Sequence, residues 1–261
     1  MVKKDSITKV AFTGNTKLTL KGIKALSDFT NFDIKSVFGI KDEDSHKKVN
    51  HVFLDDFCLK NKIDLFKNDD WNEFHNFCSN QNVELIIALG DSRIIPENII
   101  NSFKVIGNHG AILPNVHGGA SLVWGRLLNS KEWGISIMEI DKKVDSGKIL
   151  KIKKINYDKD CSELEFTEKC DDVTIEALIE IVSNDYEVIE NKKWDVRVSK
   201  HTDSFQTINI LKYCLENNLN VYLPPRTKND GIINKNWSSD FINTFKIANN
   251  NPYPKWIEKE Q

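Results

Sequence analysis

The amino-acid sequence predicts an α/β protein, and three observations carry that prediction. Short apolar strand-like runs alternate with amphipathic helical runs through the first hundred residues. The clearest buried strand, residues 83–89 (V-E-L-I-I-A-L), stops at a turn, Gly90-Asp91-Ser92-Arg93. The next, Lys104-Val105-Ile106, runs directly into Gly107-Asn108-His109. Together they describe a Rossmann-like, mostly parallel twisted sheet flanked by helices. In such sheets ligands bind beyond the C-terminal strand ends, where both polar turns fall.

The elements follow in order. Residues 7–12 read as a first buried strand, followed by Gly14-Asn15-Thr16 and then Leu18, Leu20, Ile23 and Leu26 at helical spacing. One glycine in that turn leaves the dinucleotide fingerprint incomplete and disfavours a nicotinamide enzyme. Residues 32–40 read as a second strand, 41–50 as a polar loop, 52–59 as a helix and 63–66 as a short strand. Trp71, Phe74, Phe77 and Cys78 mark another helical face, and a short helix begins near Pro96. Residues 120–128 predict a helix after Gly118-Gly119. Residues 134–140 and 148–157 read as strands, the latter with exposed lysines at 148, 151, 153 and 154. Residues 162–182 suit a long helix with a break. After Asn191 the composition turns to aromatic and Pro-containing loops. The expected organisation is a main domain over 1–190 and a small C-terminal region over 191–261.

Composition narrows the function classes. With 36 basic and 38 acidic residues, the net charge of −2 argues against a surface built for nucleic acid. The five cysteines (58, 78, 161, 170, 214) show neither C-x-x-C nor Cys/His ligand spacing, so no metal site is expected. The odd, scattered count suggests reduced thiols and a cytoplasmic protein. The basic start, Met1 to Ser6, is followed only by the short apolar Val10-Ala11-Phe12. That is too short for a signal-peptide core or a membrane span, and no later run approaches the roughly 20 apolar residues of a span.

Chemistry concentrates between Val105 and Leu150. Asn108 and His109 open this stretch, and Asp145-Ser146-Gly147 closes it. An amide can donate to a developing oxyanion. An imidazole moves protons near neutral pH, and a carboxylate can fix the imidazole. A histidine after a strand is, taken singly, more often a loop or core residue, and D-x-G is usually only a turn. N-H-x(4)-P, the Gly118-Gly119 loop and the later D-S-G in one stretch are far more specific.

This stretch resembles the folate-dependent formyltransferase family, which carries Asn-x-His, Leu-Leu-Pro, a glycine loop and a later Asp-x-Gly turn. His109 and Pro114 keep the family's spacing, with Leu113 before the proline and Gly118 in the glycine loop. Gly134-Ile135-Ser136-Ile137-Met138 and Val144-Asp145-Ser146-Gly147-Lys148-Ile149-Leu150 resemble the family's later strand and turn. The resemblance implies that His109 is the catalytic imidazole and Asp145 the catalytic carboxylate. It implies attack of an amine on the formyl group of 10-formyltetrahydrofolate through a tetrahedral intermediate. It also implies two loops holding that co-substrate, largely through backbone groups: Ser92, Arg93 and Ile94, and Ile140, Asp141 and Lys142. The alternative for the Arg93 side chain is a surface salt bridge, and those of Lys142 and Lys143 are expected in a solvated turn.

Two departures stand out. The family's amide position is Gly107 here, while Asn108 lies directly before the histidine. Neighbouring residues of an extended chain face opposite sides. Either a backbone change at Gly107 lets Asn108 serve the oxyanion, or the amide is lost, at roughly 100- to 1000-fold in turnover. His117 stands where the family often has arginine, which bears on contacts to an anionic substrate.

The C-terminal stretch, Pro225-Arg226-Thr227-Lys228-Asn229-Asp230-Gly231-Ile232-Ile233-Asn234, with Trp237-Ser238 and then Asn251-Pro252-Tyr253-Pro254, is similar to that of sugar N-formyltransferases and some tRNA formyltransferases. Only about ten residues follow Asn250, which is read as leaving no RNA-holding barrel. The expected acceptor is therefore a dTDP- or GDP-linked amino sugar used for surface polysaccharide (lipopolysaccharide O-antigen), with no nucleic-acid or membrane partner. Trp194, Tyr222 and Trp237 are candidates for base stacking, although core packing is the commoner fate of each. A homodimer is entertained, with the oligomeric state left open. A formyltetrahydrofolate hydrolase and a non-catalytic folate- or sugar-nucleotide-binding homologue are the alternatives.

Overall fold

The computed structural model describes residues 7–130 and 132–258. The basic leading segment read above lies outside the described residues. The chain begins β1 (Thr8–Thr13), α1 (Lys17–Ser27), β2 (Phe32–Gly39), α2 (Asp55–Asn61), β3 (Asp64–Lys67) and α3 (Trp71–Asn80). It continues β4 (Leu85–Ala88), α4 (Glu97–Ser102), β5 (Lys104–His109), β6 (Val116–Gly118), α5 (Ser121–Leu128), β7 (Glu132–Glu139), β8 (Ile149–Asn156) and α6 (Glu163–Val182). It closes with β9 (Val196–Arg197), α7 (Ser204–Glu216), β10 (Val221–Leu223), β11 (Ile232–Ile233), α8 (Ser239–Ala248) and β12 (Ile257–Glu258).

Contacts group the chain into two compact units, each discontinuous in sequence. The first holds the chain up to Asn108, then 137–151 and 174–189; the second holds 109–136, 152–173 and Glu190 onward. The main sheet has the order β3-β2-β1-β4-β5-β7-β8. The pairs β2–β3, β1–β2, β1–β4 and β4–β5 are parallel. This is the α/β architecture expected, with the strand order reversing at β1.

In the first unit, helix α1 starts where Thr16 and Thr19 form a reciprocal capping box. Leu18, Ile23 and Leu26 bury one face of it. Ala11, Ile86, Val105, Phe38 and Phe74 share one apolar core. The rings of Phe38 and Phe74 stack at 4.7 Å. Residues 55–61, not 52–59, form α2, and a 3-10 turn at Asp42–Lys47 replaces part of the expected loop.

In the second unit, β6, β10 and β9 form a small sheet. The expected break in 162–182 is absent, and α6 runs twenty residues unbroken. The C-terminal region carries two helices, α7 and α8, where loops were expected. Arg226 organises this region. Its guanidinium lies 4.9 Å from the Trp124 ring and donates to the Asp230 carbonyl (2.6 Å) and to Asn249 Oδ1 (2.7 Å). Burial pulls its pKa down to about 10. The R-x-x-x-D-G motif is thus a structural brace in this chain. Arg126 and Glu163 form a buried ion pair at 3.4 Å. Burial pushes the Glu163 carboxyl up to about 8 despite the adjacent guanidinium.

Candidate active site

In the first unit, β4 ends at Ala88 and the chain runs on into Leu89-Gly90. Gly90 takes a left-handed backbone, φ +63°, and the preceding Leu89 carbonyl accepts from Thr19 Oγ1 at 2.7 Å. The Gly90 N–H donates to Asn108 Oδ1 at 3.1 Å. An N–H requires an acceptor, so this bond fixes which end of the amide faces Gly90. The NH2 end is turned away from Gly90 as a donor.

Gly107 lies in regular strand, paired with Ala88 across the sheet. A Cβ placed there would stand 2.7 Å from Ile140 Cδ1 and 3.3 Å from the Ala88 carbonyl oxygen. The position that carries the amide elsewhere in the resembled family is filled by the side chain of Ile140. Asn108 is presented by ordinary strand alternation, half-buried, with no left-handed bend at Gly107.

Asp145 sits on a closed turn of the same unit. Its own backbone is left-handed, φ +53°, a conformation Asp tolerates better than most residues. Ser146 closes the turn by donating Oγ–H to the Lys143 carbonyl at 2.8 Å. The Glu139 N–H donates to the Lys148 carbonyl at 2.8 Å. A Cβ at Gly147 would lie 1.8 Å from the Glu139 carbonyl oxygen, so only glycine fits. The Ile140 N–H donates to the Val105 carbonyl at 2.9 Å and ties the base of this turn to β5.

The two expected folate loops also belong to this unit. The alternative reading of Arg93 holds in part, as an ion pair that lies largely buried. Arg93 pairs with Asp91 at 2.8 Å, where the carboxylate is only 2% exposed. It donates to the carbonyls of Phe38 (2.7 Å), Gly39 (3.1 Å) and Asn68 (3.4 Å), and rides over the rings of Phe38 and Trp71. Its side chain braces the loop, which leaves the backbone of Ser92 and Ile94 as the group that can meet a ligand. Ser92 Oγ lies 2.7 Å from Lys48 Nζ, whose pKa burial pulls down. Lys142 pairs with Glu97 at 2.9 Å on an exposed surface, a pair worth about 0–1 kcal/mol. Asp141 Oδ1 accepts from the Lys142 N–H at 2.7 Å. Ile94 and Val144, 72% and 50% exposed, leave aliphatic groups in solvent on these loops.

In the second unit, His109 is buried, and its Nε2 lies 2.9 Å from the Val116 carbonyl oxygen. A carbonyl only accepts, so Nε2 carries the proton and, in the neutral ring, the lone pair falls on Nδ1. The loop after it is held at several points. Trp133 Nε1 donates to the Gly110 carbonyl at 2.7 Å, and Ser136 Oγ donates to Ala111 (2.8 Å) and accepts from the Leu113 N–H (2.9 Å). Gly118 has φ +100°, and a Cβ there would stand 2.0 Å from the Leu223 carbonyl oxygen. Sequence reasoning missed Trp133 and Ser136 as supports of the histidine loop. Ser136 carried a legible signal, a lone hydroxyl at an inward position of an apolar strand.

The geometry defines an α/β protein with an amide fixed at one strand end and a carboxylate on a sterically determined turn. Residues 29–182 match the family described as Formyl transferase, more than half of the chain. The chain belongs to the formyl transferase family. It is 26% identical over 186 residues to a methionyl-tRNA formyltransferase of Finegoldia magna, covering 69% of this chain and 59% of that protein. The chain spans about three fifths of the length of the curated relatives it matches. The fold is similar to that of a sugar N-formyltransferase from Shewanella sp. (TM-score 0.66, 13% identity, 97% of this chain and 93% of that one). It is also similar to HypX from Aquifex aeolicus solved with tetrahydrofolic acid (TM-score 0.60, 13% identity, 94% of this chain and 35% of that one). Among the described residues no group of His, Cys, Asp and Glu could hold a metal ion, and no helix is long and apolar enough to cross a membrane.

Proposed function

We propose that the chain is an N-formyltransferase that moves the formyl group of 10-formyltetrahydrofolate to the amine of a dTDP- or GDP-linked amino sugar. The observation that carries the reading is the carboxylate turn at Asp145, fixed inside the matched segment by the close approach of Gly147 to the Glu139 carbonyl oxygen. The co-substrate supplies an electrophilic formyl carbon; the chain's residues do the rest. For the Asn108 NH2 to donate to the oxygen on which negative charge grows, the strand has to bend at Gly107 when substrate binds, because in regular strand it faces away from the His109 ring. His109, protonated at Nε2, takes the amine proton at Nδ1 and passes it to N10 as the tetrahedral intermediate collapses, the formyl carbon–N10 bond breaks and tetrahydrofolate leaves. Asp145 supplies the carboxylate of the reaction, on the turn that Gly147 fixes. The loop backbones at 92–94 and 140–142 hold the pterin.

The choice of acceptor is supported by the near-balanced net charge, where binding RNA favours a basic chain. Fold similarity does not choose between the acceptors, because a sugar N-formyltransferase and a methionyl-tRNA formyltransferase from Clostridium thermocellum each cover 97% of this chain, at TM-scores of 0.66 and 0.64. The test is a panel of nucleotide-linked amino sugars incubated with 10-formyltetrahydrofolate and read by mass for a gain of one formyl group. Methionyl-tRNA serves as the competing acceptor. Formylation of the tRNA and of no sugar overturns the acceptor class, and formate release without acceptor identifies a hydrolase.

Asn108→Ala is expected to lower kcat by roughly 100- to 1000-fold with a smaller effect on KM. An unchanged kcat places the oxyanion donor elsewhere.

A further inference from the structure

We propose that one rung of the small β6-β10-β9 sheet is a recognition strip for a nucleoside diphosphate, the activated half of the acceptor. The inference rests on the acceptor reading given above. The strand register sets His117 beside Tyr222, and Tyr222 beside Arg197. Residues on one rung of a parallel sheet project from the same face, so imidazole, phenol and guanidinium stand in a row. Trp194, just before β9, packs on that row, its ring 5.9 Å from His117 and 4.9 Å from Tyr222.

The row is graded. His117 is buried, Tyr222 half-buried and Arg197 exposed. The buried end adjoins Val116, whose carbonyl meets Nε2 of His109. The exposed end is cationic. The Arg197 guanidinium lies 5.1 Å from the Tyr222 ring centre, and Lys193 Nζ lies 5.6 Å from that of Trp194. Lys192, Lys200 and His201 add to the basic character of this stretch. The intervening acid, Asp195, is engaged in accepting the Asn220 N–H at 2.8 Å.

These groups match the two halves of a nucleotide. Aromatic faces take a base of any identity by stacking. Arginine and lysine heads take phosphate oxygens, the guanidinium as a fork. Cations on exposed stems can turn from a ring face to an anion, since an exposed cation–π contact is weak. Two cations beside two rings suit a diphosphate better than RNA, which needs a longer track of neutralised phosphates.

The test is calorimetric titration of the full chain with dTDP and with GDP, repeated on Arg197→Gln, Lys193→Gln and the double variant. Both side chains are exposed, so the fold is expected to survive, as circular dichroism verifies. The expected result is binding by the wild type that weakens with salt and weakens at least tenfold in the double variant. Thymidine, which lacks phosphates, is expected to bind at least tenfold more weakly than dTDP. Equal affinity of wild type and double variant, or no binding of either nucleotide at millimolar concentration, overturns the strip. A short single-stranded RNA that outcompetes both nucleotides overturns the ligand class. Failures of the two readings separate. Nucleotide binding lost in the double variant, with no formylation of any nucleotide-linked amine, keeps the strip and sinks the acceptor. Formylation with an unchanged KM in the double variant keeps the acceptor and sinks the strip.

Discussion

Replacing His109 by alanine is expected to lower formyl transfer by about 100- to 10,000-fold, the usual worth of a positioned proton acceptor. The fold should persist. The bond from the ring's Nε2 to the Val116 carbonyl contributes about 1 kcal/mol, as a net hydrogen bond does. The loop that follows keeps its anchors from Trp133 and Ser136. Asp145→Asn is the companion test and a cleaner one. Asn accepts the left-handed backbone at φ +53° as readily as Asp does. The substitution therefore removes the charge and leaves the turn in place. Single-turnover rates measured by mass, beside melting temperatures, decide the matter. Wild-type turnover in either variant removes that residue from the reaction. A collapse of melting temperature in His109→Ala would make its role structural.

The parallel strands were legible because each is a short apolar run bounded by polar turns, and the pattern repeats from β1 to β5. The helices of the C-terminal region hid behind their polar composition, although their caps were written plainly. Asp203 accepts from the Gln206 N–H, and Ser238 from the Phe241 N–H. The break expected in α6 does not occur, because Phe166, Cys170, Ala177, Leu178 and Ile181 are buried along its length and hold it as one helix. At the candidate site, alternation gave Asn108 and His109 opposite faces. It could not show that Ile140, thirty-odd residues later, fills the space over Gly107. Arg93 is the same lesson at longer range. Its carbonyl partners Phe38 and Gly39 lie more than fifty residues away in sequence, and no local pattern announces such a contact.

Gly147→Ala is expected to cost about 100-fold or more in transfer, as a shift of about 1 Å in a reacting group does, although residue 147 contributes no reactive atom. The added Cβ would start 1.8 Å from the Glu139 carbonyl oxygen, where real Cβ contacts stay beyond 3.0 Å. Something must move by more than an ångström. The strand end is the stiffer side. The Glu139 N–H is bonded to Lys148, and the next N–H, from Ile140, to Val105 of β5. The turn is the softer side, because Ser146 closes it through a hydroxyl and an N–H that both reach the same Lys143 carbonyl. Asp145 lies two residues from the clash and moves with the turn. Gly231→Ala is the control, because a Cβ there meets nothing within 4 Å. The expected pattern is a fall in kcat for Gly147→Ala with a smaller change in KM, and near-wild-type kinetics for Gly231→Ala. If Gly147→Ala loses melting temperature but keeps kcat, the strand end has yielded instead of the turn. The position of the Asp145 carboxylate would then not depend on the glycine that follows it.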